Sequence, residues 1–421
     1  MEPHKTPLHS RHKERGAKMV EFGGWSMPLW YPSGAVAEHR AVITNAGIFD
    51  TCHMSVVMIA GRKSFDLLQY CFSRDLAGCV GRENRPLEPG RAVYGAFLDE
   101  QGWVLDDAVL YQLMPDSYMV VVNAGMGADI AGRLKDHSDP LDVRIVDLTG
   151  QVGKIDLQGR HSARILMEVL DHPESFLPDM RYFSFTGHFD VESGIADRFF
   201  IDKTPVLLSR SGYTGEFGFE ILVGSEHVVK VWEMIVSAGE TFGLIPCGLA
   251  ARDSLRAGAM LPLSHQDIGP WPFINHPWSF ALPFNEQGTE FTKTFLGDRV
   301  LEKRDKTEYT HAFVGYDPRK VSIGDPAVVL NSEEERIGEV LTCVSDMAVA
   351  RHRDRIYSMG SPDKPVDFKP SGLICGFIRT TSKLNAGRIV ELKDKRRKVR
   401  AMVVDDIRPD RTARRSMREM I

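Results

Sequence analysis

Two adjacent carboxylates, Asp106 and Asp107, lie inside the apolar run VLDDAVLYQL (104–113), just after Gly102. Successive side chains of an extended chain point to opposite faces, so the pair sends one carboxylate to each side of a strand. A carboxylate on a covered face needs partners or a chemical task such as stabilising charge. Bonding to nearby backbone amides is the structural alternative. Glu220 is a lone acid in the apolar run GFEILV. Alternation puts Phe217, Phe219 and Ile221 on one face and turns Glu220 to the other with Gly218 and Leu222. Judged alone, exposure to solvent is the commoner explanation of such a residue. CGLAARDSLR (247–256) is a compact helical segment that can present Arg252 or Arg256 to an anion. An Arg252–Asp253 or arginine–backbone contact is its structural alternative.

The elements that must hold these residues are short and mixed. Apolar periodicity predicts strands at 55–60, 92–98, 104–113, 118–124 and 152–159, with helices at 63–72, after 124 to about 135, and at 161–170. EHRAVITNAGIFD (38–50) reads as a helix ending at Gly47. FGGWSMPLWYPSG (22–34) reads as an irregular segment packed by aromatics. VLLSRSG and GFEILV read as strands meeting near Tyr213-Thr214-Gly215. Ser225 is placed to cap the helix that follows, whose apolar stripe is 228, 229, 232, 235 and 236. From about 291 the texture becomes six short strands, THAFVGYD, DPAVVL, RIGEVLTCV, GLICGFIR, GRIVELK and KVRAMVVDDI, expected as a small barrel or sandwich. A polar, proline-rich insertion, 350–372, reads as an exposed loop. Hairpins mixed with single helices argue for α+β rather than a doubly wound sheet.

At 421 residues the chain is long enough for two or three cores. Its net charge of −5, with both signs interspersed, gives no electrostatic case for nucleic acid or an anionic membrane. The basic stretches 393–400 and 408–420 read as a solvated strand edge and a tail. The six cysteines show no CxxC spacing, so no metal site is expected and free thiols in a reducing compartment are. There is no GxGxxG or Walker A sequence to cradle a nucleotide. No secretory signal and no apolar run of membrane-spanning length is visible, so a soluble cytoplasmic protein is expected.

Several motifs, in order, resemble one family. TPLHSRHKERGAKMVEFGGWSMPLWYPSGAVAEHRAVITNAGIFDTCHM, GWVLDDAVLY, LQGRHSARIL, SGYTGEFGFEI, CGLAARDSLR and FLGDRVL are similar to the glycine cleavage system T-protein, an aminomethyltransferase of the wider folate-dependent superfamily. The likeness covers most of residues 6–304. It implies a three-domain cloverleaf around a folate channel: 1–51 with 150–240, 52–149 with 241–290, both α+β and intertwined, then a β-barrel domain over 291–421. It implies tetrahydrofolate as acceptor, Asp106 as the catalytic aspartate, and Tyr94, Tyr213, Glu220 and Arg252 as folate contacts. A pterin offers an N–H beside an amino group, a fork that Glu220 could accept. Arg252 suits an anionic part of the folate.

The departures fall beyond the arginine motif. The Leu-Glu-Ala-Gly and Leu-Tyr-Gly segments of the family give way to AGAMLPLSHQDIGPWPFINHPWSFALPF (257–284), with His265, Trp271, His276 and Trp278 as additions. Gln158-Gly159-Arg160 replaces the family's QGP. These changes touch the donor side more than the folate side. Three functions are therefore kept: aminomethyl transfer from a lipoyl carrier protein (H-protein), methyl transfer or demethylation from a small N-, O- or S-methyl donor, and folate-binding regulation without turnover.

Overall fold

The computed structural model describes residues 2–81, 83–303, 308–324 and 326–421. Among these residues the strands form a six-stranded sheet, a five-stranded sheet, a closed six-stranded barrel and two smaller sheets. The expected α+β class and the C-terminal barrel are both present. The barrel uses Tyr309–Gly315, Val328–Leu330, Arg336–Asp346, Leu373–Thr380, Ile389–Lys393 and Lys398–Val404, matching the six short strands read from the sequence.

The five-stranded sheet runs Arg91–Leu98, Val104–Met114, Ser117–Val122, Ser55–Ala60 and Arg144–Asp147. One face is covered by helices Ser64–Cys71 and Gly127–Asp136, which bury Leu67, Leu68, Ile130 and Leu134 against Val57, Ile59, Leu110 and Val120. The six-stranded sheet runs Phe185–Gly187, Leu207–Ser209, Gly218–Gly224, Val152–Gln158, Ala46–Asp50 and Leu244–Pro246. Helices Ser162–Val169 and Val228–Gly239 cover its outer face through Ile155, Leu157, Phe219, Ile221 and Val223. The inner faces of the two sheets meet through Val56, Tyr111, Met119, Val121, Val152, Leu207 and Leu222. Period-two alternation therefore turns Lys154, Asp156 and Glu220 toward the five-stranded sheet.

Four local expectations are corrected. Helix Ala35–Thr44 stops before Gly47, and Ala46–Asp50 is a strand buried along its whole length. A Cβ on Gly47 would meet Val42 Cγ2 at 2.6 Å and Cys247 Sγ at 2.7 Å, so the glycine admits a close approach and does not cap. The aromatic N-terminal stretch is regular: Lys18–Phe22 and Trp25–Trp30 pair around Gly23-Gly24, both at positive φ. Ser225 caps nothing; it opens a 3-10 turn, and the helix begins at Val228 with no side-chain cap. The 350–372 insertion starts with a hairpin, Val349–His352 against Arg355–Ser358, before its irregular remainder.

Candidate active site

Asp106 and Asp107 open the long strand Val104–Met114, and each is held by the next strand. Asn123 donates its backbone N–H to Asp106 Oδ2 (2.8 Å) and its Nδ2 to Asp106 Oδ1 (2.7 Å) and Asp107 Oδ1 (2.6 Å). One amide thus bridges two acids. Ser264 Oγ donates to Asp106 Oδ1 at 2.9 Å, and Tyr94 OH donates to Asp107 Oδ2 at 2.8 Å. Asp106 is fully buried and Asp107 half-buried. Burial pushes the pKa of Asp106 up, outweighing its hydrogen bonds. Burial, then the charge of Asp106, does the same to Asp107. The pair therefore titrates toward neutrality.

A second cluster lies on the six-stranded sheet, whose inner face meets the side of the strand that carries Asp107, Val109 and Tyr111. Glu220 stands opposite Asp156 on the neighbouring strand. The Lys154 ammonium, 3% exposed, lies 2.5 Å from both Glu220 Oε1 and Asp156 Oδ1. Arg252 reaches Asp156 Oδ2 through Nη1 at 2.7 Å. The result is a chain of alternating charge, Glu220–Lys154–Asp156–Arg252. Ser211 Oγ donates to Glu220 Oε2 at 2.5 Å, and Tyr111 OH points at the same oxygen from 3.4 Å. Burial raises the pKa of Asp156, but Lys154 and Arg252 outweigh it and bring the carboxyl to about 2. Burial lowers that of Lys154, and Asp156 and Glu220 reverse the sign.

Tyr213 links the clusters. Its ring lies under the Arg252 guanidinium at 4.9 Å, and its hydroxyl donates to the Pro262 carbonyl. Burial raises its pKa, with Arg256 opposing and Asp107 adding. Gln158 shapes this turn by donating Nε2 to Ser211 O (3.2 Å) and Phe219 O (3.1 Å) and accepting from Thr214 Oγ1 (2.8 Å). A Cβ on Gly212 would stand 2.0 Å from Gln158 Oε1, so only glycine fits there. His53, 3% exposed, leaves Nδ1 without a protein partner. Burial lowers its pKa to about 4, so the imidazole is neutral at pH 7.

All five residues singled out from the sequence lie along these two clusters, Asp106 and Tyr94 in one, Glu220 and Arg252 in the other, Tyr213 between. Lys154, Asp156, Asn123 and His53 were missed. The signal for the first two was present: two charges at alternate positions of VGKIDLQ share one face of an otherwise apolar strand. The donor set suits a folate. It offers carboxylates to accept from a pterin fork, phenols beside a ring, and a guanidinium with one N–H group committed to Asp156. Among the described residues no group of three or more His, Cys, Asp or Glu side chains could hold a metal ion.

The family profile GCVT N-terminal domain matches residues 8–271. An aminomethyltransferase of Geobacillus thermodenitrificans is 36% identical over 313 residues, 74% of this chain and 78% of its own length. One of Natranaerobius thermophilus is 31% identical over 96% of this chain and 97% of its own. The crystal structure of glycine cleavage system aminomethyltransferase T from Bartonella henselae superposes with a TM-score of 0.74 at 25% identity, covering 95% of this chain and 96% of that one. The chain belongs to the GCVT family, the aminomethyltransferases of the glycine cleavage T-protein type.

Proposed function

We propose that this chain moves a methylene carbon from a sulfur-bound aminomethyl group to tetrahydrofolate and releases ammonia. The observation that carries this is the aminomethyltransferase likeness along 96% of the chain, in which the paired acids and the acid–arginine cluster lie on facing sheets. Overall, the donor's carbon–sulfur and carbon–nitrogen bonds break and two carbon–nitrogen bonds to the folate form. The two protons displaced from the folate nitrogens end on the sulfur and on the ammonia, so atoms and charge balance.

In this reading Glu220 accepts the pterin fork. Lys154 and Ser211 hold its carboxylate in place, and charge-assisted hydrogen bonds are the stronger kind. Arg252, anchored on Asp156, turns its remaining N–H groups to the anionic glutamate tail. Tyr94 and Tyr213 flank the ring system. Asp106, fixed by Asn123 and Ser264, places negative charge beside the carbon as it becomes cationic and takes up a proton released by the folate. The donor in this reading is the lipoyl arm of a carrier protein.

Calorimetric titration with tetrahydrofolate, paired with turnover, tests the assignments. Glu220→Ala is expected to weaken folate binding about 10- to 100-fold, the worth of charged hydrogen bonds. Asp106→Asn is expected to bind folate as the wild type does and to lose turnover about 10²- to 10³-fold. Full activity in Asp106→Asn would remove Asp106 from the reaction.

A further inference from the structure

The segment that departs from the family motif, 257–284, has a built geometry at its centre. Asp267 is fully buried and pins the loop from below. It accepts from Leu263 N at 3.0 Å and from Thr342 Oγ1 of the barrel at 2.7 Å, and it pairs with the buried Arg256 guanidinium. The Leu263 carbonyl in turn accepts from Asp267 N at 2.8 Å, and the Gly269 carbonyl from Val104 N at 3.0 Å. The loop is thus tied to the helix before it, to the barrel, and to the first residue of the strand that carries Asp106. At its tip Ser264 bonds to Asp106 Oδ1. The next residue, His265, holds φ at +62°, a conformation that favours glycine and strains a histidine. That backbone twist aims Nε2 at the same oxygen, Asp106 Oδ1, from 3.7 Å. The side chain of Asp106 is 0% exposed and that of His265 is 49% exposed.

A sealed carboxylate that takes up a proton in each turnover must pass it on. Asn123 and Ser264 bring it a side-chain amide, a backbone N–H and a hydroxyl, all donating to it. The imidazole is the group beside it that can hold a proton on one nitrogen and release another from the opposite nitrogen to water. The charged groups that face the ring are Asp106 and Asp107, both from the long strand. Gly269 of the same loop lies against both Trp271 and the His265 backbone.

We propose that His265 is a proton relay acting through Asp106. A proton leaves the Asp106 carboxyl oxygen for His265 Nε2, and the Nδ1 proton leaves to water, from which the departing amine draws the proton it needs. The ring returns to its starting tautomer by exchange with water, and no electron pair changes owner beyond those of the O–H and N–H bonds. The contact closes from 3.7 Å to hydrogen-bonding distance by side-chain rotation, as catalytic contacts tighten when substrate binds. His265 is a positioning and relay residue; it does not itself touch the carbon. This inference rests on the assignment of Asp106 above.

The test uses His265→Gly, which removes the ring, suits the positive φ and leaves room for free imidazole. Carbon transfer to tetrahydrofolate is assayed in the wild type, H265G, H265N and D106N, with and without added imidazole. H265G is expected to lose about 10²-fold in kcat with KM for tetrahydrofolate unchanged, and imidazole is expected to restore at least ten-fold of it. H265N keeps a side chain in the space and is expected to lose kcat without rescue. Wild-type kcat in H265G, or a loss that imidazole does not touch, overturns the relay. D106N separates the two readings. Full activity in D106N sinks the Asp106 assignment whatever H265G does, whereas an inactive, unrescued D106N beside an active H265G sinks the relay alone.

Discussion

Asp106 accepts from three donors, two from Asn123 and one from Ser264. Those bonds fix its orientation and leave burial to decide its proton. Because burial raises the folded-state pKa of both Asp106 and Asp107, the native state binds protons more tightly than the unfolded chain, whose carboxyls titrate near 3.9. Stability contributed by this pair is therefore present at low pH and lost as pH rises from about 4 toward neutrality. The double variant Asp106→Asn/Asp107→Asn removes that loss. Its melting temperature relative to wild type is expected to rise across this window, and a flat difference would contradict the raised values. At this scale the sequence was informative where a charge stood alone. Glu220 and Arg252 interrupt apolar or small-residue patterns and could be picked out. His53 could not, because what distinguishes it is an unpartnered nitrogen under a folded roof, a property of tertiary packing.

The strand Val152–Gln158 shows why periodicity reveals an element sooner than its chemistry. Alternation located the strand, and Ile155 and Leu157 pack toward the helices. The opposite face carries Lys154 and Asp156 into the space between two sheets. Only the stacking of the second sheet makes that face buried. The alternating charges predict a non-additive pair of variants. Lys154→Met leaves Glu220 without its cation and Asp156 with Arg252 alone, and is expected to cost about 3–5 kcal/mol. Adding Asp156→Ala restores charge balance between Glu220 and Arg252, and is expected to recover much of that loss in urea denaturation. Equal stability of the single and double variants would contradict the linear chain of charges. The loop at 261–269 behaves likewise. Nothing local in SHQD announces that Asp267 lies under the loop while Ser264 and His265 point at Asp106. Asp267→Ala is expected to loosen the loop and lower kcat while sparing tetrahydrofolate affinity, and a loss confined to affinity would contradict this placement.

Across the whole molecule the barrel is fastened to the six-stranded sheet by its outgoing chain. Arg408, 0% exposed, pairs with Asp346 Oδ2 at 2.8 Å and Glu216 Oε1 at 3.3 Å, and donates to the Thr214 carbonyl in the turn beside Tyr213. Arg408→Met strands two buried acids and is expected to destabilise by about 3–5 kcal/mol, with folate affinity falling because the Tyr213 turn is released. Unchanged stability on denaturant titration would show the clasp to be dispensable. The same segment read as a basic tail in the sequence, since burial of an arginine depends on acids supplied by residues 216 and 346, far away in the chain. The sheets lend themselves to a three-part division close to 1–51 with 150–240, 52–149 with 241–290, and 291–421, which we propose with Leu244–Pro246 belonging to the first sheet by its pairing with Ala46–Ile48.

The central claim is that carbon reaches tetrahydrofolate as a methylene group with nitrogen lost. The purified chain is mixed with an aminomethylated lipoyl carrier protein and tetrahydrofolate, and ammonia and 5,10-methylenetetrahydrofolate are counted in the same single turnover. The account predicts one of each per donor consumed. Formation of 5-methyltetrahydrofolate from a methylated donor, with no ammonia from the aminomethyl carrier, would contradict it.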